Sequence, residues 1–116
     1  MKKFFKSFVF ASSGFRYALK EQNFVIELFC AITVIGFSIF FKINKTEWVI
    51  VLINIAVVLM AELFNTAIEN LCDLVHTEMH PAIKIIKDIS AAAVLLVAIC
   101  ACICGCIIFI PHFFNT

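Results

Sequence analysis

Apolar residues fill three long runs separated by short polar stretches, after an opening segment with a different rhythm. Over residues 2–20, Phe4, Phe8, Ala11, Phe15, Ala18 and Leu19 share an arc of about 100° at helical spacing. Lys2, Lys6, Ser13, Arg16 and Lys20 lie opposite, and Phe5 and Phe10 fall off the stripe. A basic face opposed to an aromatic one suits an amphipathic helix lying in the headgroup layer. Lys6, Arg16 and Lys20 deny the segment the unbroken apolar core of a cleaved signal.

Polar residues 21–23 break that pattern, and a first membrane candidate follows at about 24–41, with one charge, Glu27, near its start. The polar turn over 42–47 suits an antiparallel pair of helices, with Thr46 as the next cap and Trp48 as an interfacial aromatic. A second candidate covers about 48–70, its polar end projecting beyond the hydrocarbon. Mid-span Asn54 reads as a hydrogen bond between packed helices. Pro81 pushes the residue before it out of the α region, so that helix ends by His80. Proline also suits the first turn of a third candidate, about 83–110, which Pro111 ends. The expected fold is an all-α integral membrane protein with three transmembrane helices and an N-terminal amphipathic surface helix. The whole chain, 1–116, reads as a single domain.

Composition agrees. Hydrophobic residues make up 64% of the chain, against about 45–50% in soluble domains. Net charge is +1, and no basic stretch interleaved with aromatics offers a nucleic-acid surface. Of six cysteines, Cys100, Cys102, Cys104 and Cys106 lie in one apolar run. Helical residues two apart point about 200° apart, so neighbours in that series cannot converge on a metal. Cys100, Cys104 and Gly105 read instead as small residues for close helix packing. The placement of basic residues carries more than their sum. Lys2, Lys3, Lys6, Arg16, Lys20, Lys84 and Lys87 fall on one side of a three-span chain, and Lys42 and Lys45 on the other. The positive-inside rule puts the N-terminus and the second loop in the cytoplasm and the C-terminus outside.

The chemistry is concentrated where the second span leaves the membrane. Asn65, Glu69 and Asp73 fall within about 60° of Glu62 around a helix, and Thr66 within about 40°. Acidic residues at membrane depth are costly and mark functional sites by default. Glu62, just inside the apolar layer, is suited to accept a proton from a group lying in the membrane. Glu69, further out, is placed to bind a hard cation, and Glu21 at similar depth could supply a second carboxylate. Mg²⁺ takes one or two carboxylates plus substrate phosphates. Lys87, at the same level, could neutralise phosphate oxygens. A base, a metal site and a cation at this boundary describe phosphoryl transfer to an alcohol headgroup. With three glycines in the chain, a Walker-type phosphate loop is excluded. Two other readings stay open on the residues alone. Ion pairs of Glu62 and Glu69 with Lys87 or Arg16 would merely hold helices together, or Glu62 would serve as the relay of a cation-conducting oligomer.

Three motifs add a resemblance. Residues 61–69, Ala-Glu-Leu-Phe-Asn-Thr-Ala-Ile-Glu, are similar to the E-x-x-N-[ST]-A-I-E signature of the small integral-membrane prokaryotic diacylglycerol kinases, which include the undecaprenol kinases. Residues 87–95, Lys-Asp-Ile-Ser-Ala-Ala-Ala-Val-Leu, resemble that family's K-D-x-x-[AS]-[AG]-A-V-L, and Glu21-Gln22-Asn23-Phe24 its E-x-N-F. The match spans roughly residues 8–111. It implies an ATP- and Mg²⁺-dependent lipid kinase of the bacterial cytoplasmic membrane, working as a homotrimer of three-helix chains. It implies Glu62 as catalytic base, Glu21 and Glu69 as metal ligands, and Asn65 with Thr66 supporting the reacting groups. Lys87 and Asp88 would meet the nucleotide, with Asp73 and His80 beside it. The substrate would be undecaprenol or diacylglycerol, with residues 105–111 and the E-x-N-F entry resembling the undecaprenol branch. Val25 and Glu27 depart from the pattern, since many relatives carry a basic residue and a histidine there. The lost positive charge would weaken phosphate contacts from the first span.

Overall fold

In a computed structural model, which describes residues 1–76, 78 and 80–115, the chain forms four α-helices. They are α1 (Lys2–Ala18), α2 (Gln22–Phe40), α3 (Lys45–Val75) and α4 (Pro81–Phe114), with no strand among the described residues. The last three are long and apolar enough to cross a membrane. At a rise of about 1.5 Å per residue, the 31 residues of α3 and 34 of α4 exceed the ~30 Å hydrocarbon layer. Their polar ends therefore project, as the charge pattern requires. Along α1 only Ala18 is buried; Phe4, Phe8 and Phe15 stand exposed, as suits a helix whose apolar face meets lipid instead of protein.

The α2–α3 turn is closed by backbone geometry. Phe41 caps α2, Lys42 follows at φ 52°, and Ile43 donates back to the carbonyl of Ser38 at 3.3 Å while Lys42 donates to that of Ile39 at 3.2 Å. These two bonds satisfy orphan carbonyls at a helix end, and the left-handed residue between them is usually glycine. Ile43 turns inward and forms a buried cluster with Val51 and Ile108. Lys42→Gly should raise thermal stability in detergent by roughly 0.5–1 kcal/mol, visible as a higher unfolding midpoint. A lower midpoint would show that the lysine side chain contributes there.

Three local expectations are corrected. Thr46 does not cap α3; Asn44 does, its side chain accepting from the Glu47 amide at 2.9 Å while Glu47 accepts from the Asn44 amide at 3.1 Å. This reciprocal box satisfies two donors where a lone threonine would satisfy one. Pro111 does not end α4, which continues to Phe114, with Asn115 donating to the Pro111 carbonyl at 3.0 Å. Near the helix end, cross-helix contacts hold that turn: His112 Nε2 lies 3.1 and 3.2 Å from the two Glu47 oxygens, and Phe41 packs on Phe109, His112 and Phe113. Asn54 makes no bond to another helix among the described residues; its amide donates to Ile50 of its own helix at 2.8 Å. The start of α4 falls as expected, with Pro81 in its first turn. α3 stops at Val75, with His76 extended.

The cysteines are all free. A Cβ placed on Gly105 would meet nothing within 4 Å among the described residues, so Gly105 does not bring helices of this chain into close contact. It opens a groove instead. Cys104, Gly105 and Ile108 of α4 face Ala31 and Val34 of α2 and Val58 of α3 across a cavity of about 310 Å³.

Candidate active site

The end of α3 concentrates buried polar groups that an apolar bundle would otherwise avoid. Glu62 is 3% exposed, Asn65 5% and Thr66 8%, the sequence of α3 placing all three on the face that meets the other helices. Asn65 donates through Nδ2 to Glu69 Oε1 at 3.1 Å. That bond orients the amide and leaves Asn65 Oδ1 shielded from solvent without a donor among the described residues. Such an orphan acceptor is costly unless a further group arrives to satisfy it.

Glu62 lies near enough to Glu69 and Glu21 to feel both charges. Glu21 reaches this position as the residue that opens α2, in extended conformation, its carbonyl accepting from Val25 at 3.1 Å. Three carboxylates thus gather within interaction range, one from the start of α2 and two from one face of α3. Among the described residues no three His, Cys, Asp or Glu side chains already surround a single metal position.

Lys87 of α4 pairs with Asp73 of α3, Nζ to Oδ1, at 2.7 Å and also feels the charge of Glu69. The pair spans the two helices where they emerge together, so Lys87 and Asp73 join the edge of the carboxylate cluster. Asp88 and His80 are engaged locally. Asp88 binds Lys84 one turn back on α4 at 2.7 Å. His80 caps α4, Nδ1 accepting from the Ala82 amide at 3.1 Å, with its ring 5.2 Å from that of His76.

Tyr17 gave no signal in the sequence as a site residue. Its hydroxyl accepts from Asn70 Nδ2 at 3.3 Å, which ties α1 to the polar end of α3. Beside this tie a cavity of about 550 Å³ opens between α1 and α3, lined by Gly14, Phe15, Thr66 and Ala67. Thr66 therefore faces the α1 side of the site. Glu27 was missed for another reason. Of the two departures at 25 and 27, Val25 is exposed and Glu27 lines the α2–α3–α4 groove with Leu59. Glu27 lies near enough to Glu62 to feel its charge.

Arranged this way, the residues can take a proton at Glu62, offer oxygen ligands from Glu21, Glu69 and Asn65, and present a cation at Lys87. Comparison with known proteins points the same way. The family model described as prokaryotic diacylglycerol kinase matches residues 9–109. An undecaprenol kinase of Bacillus subtilis is 40% identical over 114 residues, covering 96% of this chain and 91% of that protein. A diacylglycerol kinase of Synechocystis is 36% identical over 107 residues, covering 90% of this chain and 61% of that protein. The diacylglycerol kinase of Helicobacter pylori is 27% identical over 100 residues, with 82% and 75% covered. The chain belongs to the prokaryotic diacylglycerol kinase family.

Proposed function

We propose that this membrane lipid kinase transfers the γ-phosphoryl group of ATP to the hydroxyl of undecaprenol, with diacylglycerol as the second candidate acceptor. The observation that carries the reading is the buried pair Glu62 and Asn65, with Asn65 bonded to half-buried Glu69, beside the Lys87–Asp73 pair at one end of three membrane-length helices. Undecaprenol is put first because the undecaprenol kinase of Bacillus subtilis is matched over nearly its whole length.

In this reading Glu62 accepts the proton of the lipid hydroxyl as its oxygen attacks phosphorus. Lys87 holds phosphate oxygens and offsets charge that spreads over them during transfer. Asp73 positions Lys87, and Asp88 and His80 contribute to the nucleotide end through Lys84 and the start of α4. Asn65 fixes Glu69. Glu21 and Glu69 would hold Mg²⁺, and the ion would supply positive charge to offset that of the nucleotide phosphates. The donor chemistry fits such an ion: two carboxylates that each lie near Glu62, and the oxygen of Asn65, whose amide nitrogen bonds Glu69 and whose Oδ1 has no donor among the described residues. A site completed by substrate phosphates needs no third protein carboxylate.

The site belongs in the cytoplasm, where ATP is, and the distribution of lysine and arginine supports that orientation in the bacterial cytoplasmic membrane. A homotrimer is part of the proposal. One chain leaves most of its three spans uncovered, and further copies would shield the carboxylate row from lipid.

The test is direct. Purified protein in mixed micelles with labelled ATP and Mg²⁺ should phosphorylate undecaprenol faster than diacylglycerol, and chelation should stop the reaction. Faster transfer to diacylglycerol would reverse the order of substrates, and transfer to neither would sink the kinase reading of this chain.

A further inference from the structure

Glu21 and Glu69, the two carboxylates assigned to Mg²⁺, come from different elements, so their separation depends on how those elements are held together. Asn65 fixes the Glu69 side. The Glu21 side is a turn. Glu21 precedes α2 in extended conformation, and its carboxylate makes no capping bond. Two backbone bonds hang this turn from the end of α1: the Lys20 amide donates to the Tyr17 carbonyl at 3.0 Å, and the Glu21 amide to that of Ala18 at 2.9 Å. Beyond Glu21, Phe24 is 2% exposed and anchors the start of α2. One anchor leaves the turn free to pivot about Phe24, so a fixed Glu21 needs a second on the α1 side. Packing supplies little of it, since Ala18 is the one buried residue of α1.

Tyr17 provides that anchor. Its hydroxyl accepts from Asn70 Nδ2 at 3.3 Å, the one side-chain hydrogen bond from α1 to another helix among the described residues. Asn70 directly follows Glu69 on α3. Consecutive helical residues point about 100° apart, so Glu69 turns to Asn65 while Asn70 lines the α1–α3 cavity with Thr66. The bond therefore joins the neighbour of one carboxylate to the helix end that carries the other. Beside it the cavity of about 550 Å³ is space that close packing would otherwise fill, so the bond sets the α1–α3 spacing there. We infer that the Tyr17–Asn70 hydrogen bond positions the metal carboxylates, holding Glu21 at the distance from Glu69 at which one ion takes both. Tyr17 acts through the turn and Asn70, not by touching the ion. Its ring has a separate contact, the Lys20 ammonium 6.0 Å from the centroid, at the limit of cation–π reach. Phenylalanine would keep that contact and lose only the hydroxyl. The inference rests on the lipid-kinase reading for the assignment of Glu21 and Glu69.

The experiment reads metal binding apart from catalysis. Mn²⁺ alone is titrated into the full chain in micelles and the bound ion followed by electron paramagnetic resonance; transfer to undecaprenol is then measured against Mg²⁺ concentration. Tyr17→Phe should raise the Mn²⁺ Kd about three- to tenfold, the loss of one ordinary hydrogen bond, and the Mg²⁺ concentration for half-maximal rate by a similar factor. Excess Mg²⁺ should restore kcat, with the lipid KM unchanged. Asn70→Ala should match it, and the double variant should be no weaker than either single one, because both remove the same bond. Glu69→Gln identifies the site and should abolish most Mn²⁺ binding. The unfolding midpoint of Tyr17→Phe should stay at that of wild type, since a solvent-exposed bond outside the core opens before global unfolding. Unchanged Mn²⁺ affinity in Tyr17→Phe overturns the inference, as does an unfolding midpoint lowered in step with the affinity. Additive losses in the double variant overturn it too, as do Mn²⁺ binding that Glu69→Gln leaves intact and a wild-type chain that binds no Mn²⁺. If wild type binds Mn²⁺ yet transfers to no lipid, the kinase reading fails while the Kd comparison still judges Tyr17.

Discussion

Glu62→Gln is expected to reduce phosphoryl transfer to undecaprenol by at least about 10²–10⁴-fold, the range for losing a positioned general base, while the protein stays folded. The substitution keeps size and shape, which matters because Glu62 is 3% exposed and a smaller residue would leave a hole. An amide cannot take the hydroxyl proton, so the attacking oxygen would have to form without a base. The structure adds a second, opposite effect. Glu62 lies among Glu21, Glu69 and Glu27, and removing one charge from a crowd of like charges relieves repulsion. The variant should therefore melt at or above wild type in the same detergent. Loss of activity with equal or higher stability identifies a residue kept for chemistry. Loss of both would make Glu62 a structural ion-pair member, the bland reading of the stripe, and transfer within about tenfold of wild type would move the base elsewhere.

What could be read from the residues is what repeats along a helix. Length and apolar content located the three spans, and 3.6-residue spacing put Glu62, Asn65, Thr66 and Glu69 on one face before any partner was known. Three of these, Glu62, Asn65 and Thr66, are buried. Pairings across helices were not legible, because nothing local encodes them. Glu47 and His112 lie 65 residues apart and Tyr17 and Asn70 lie 53 apart, and neither pair has a spacing or motif that announces it. Pro111 misled for the same reason: proline forfeits one helical hydrogen bond, a local penalty that packing at Phe41 and Glu47 outweighs. Glu27 entered only through the resemblance, as the position where many relatives carry a histidine. Its helical neighbours would have been the better guide. Cys30 and Ala31 line the same trough, and both sit at the apolar depth of the first span.

Lys87→Met should cost about 10²–10³-fold in transfer, comparable to removing one preorganised donor from a developing anion, with a raised ATP KM and little change in unfolding midpoint. The contrast follows from where the pair sits. Lys87 and Asp73 touch at 2.7 Å, yet their side chains remain 38% and 64% exposed, and exposed ion pairs contribute little to stability. Methionine keeps the unbranched apolar stem that packs at the start of α4, so only the ammonium is lost. Lys87→Arg restores charge with a wider planar head and should recover part of the rate. Asp73→Asn completes the argument from the other side of the bond. It leaves the Lys87 charge in place but frees it to move, so the rate should fall by less than in Lys87→Met while stability again barely changes. If instead both variants lower the unfolding midpoint equally and the surviving folded protein turns over normally, the α3–α4 pair is a clasp and phosphate is held by something else. A nucleotide KM that rises in Lys87→Met and recovers in Lys87→Arg ties the ammonium to the phosphates, because a clasp between two helices has no reason to follow ATP concentration.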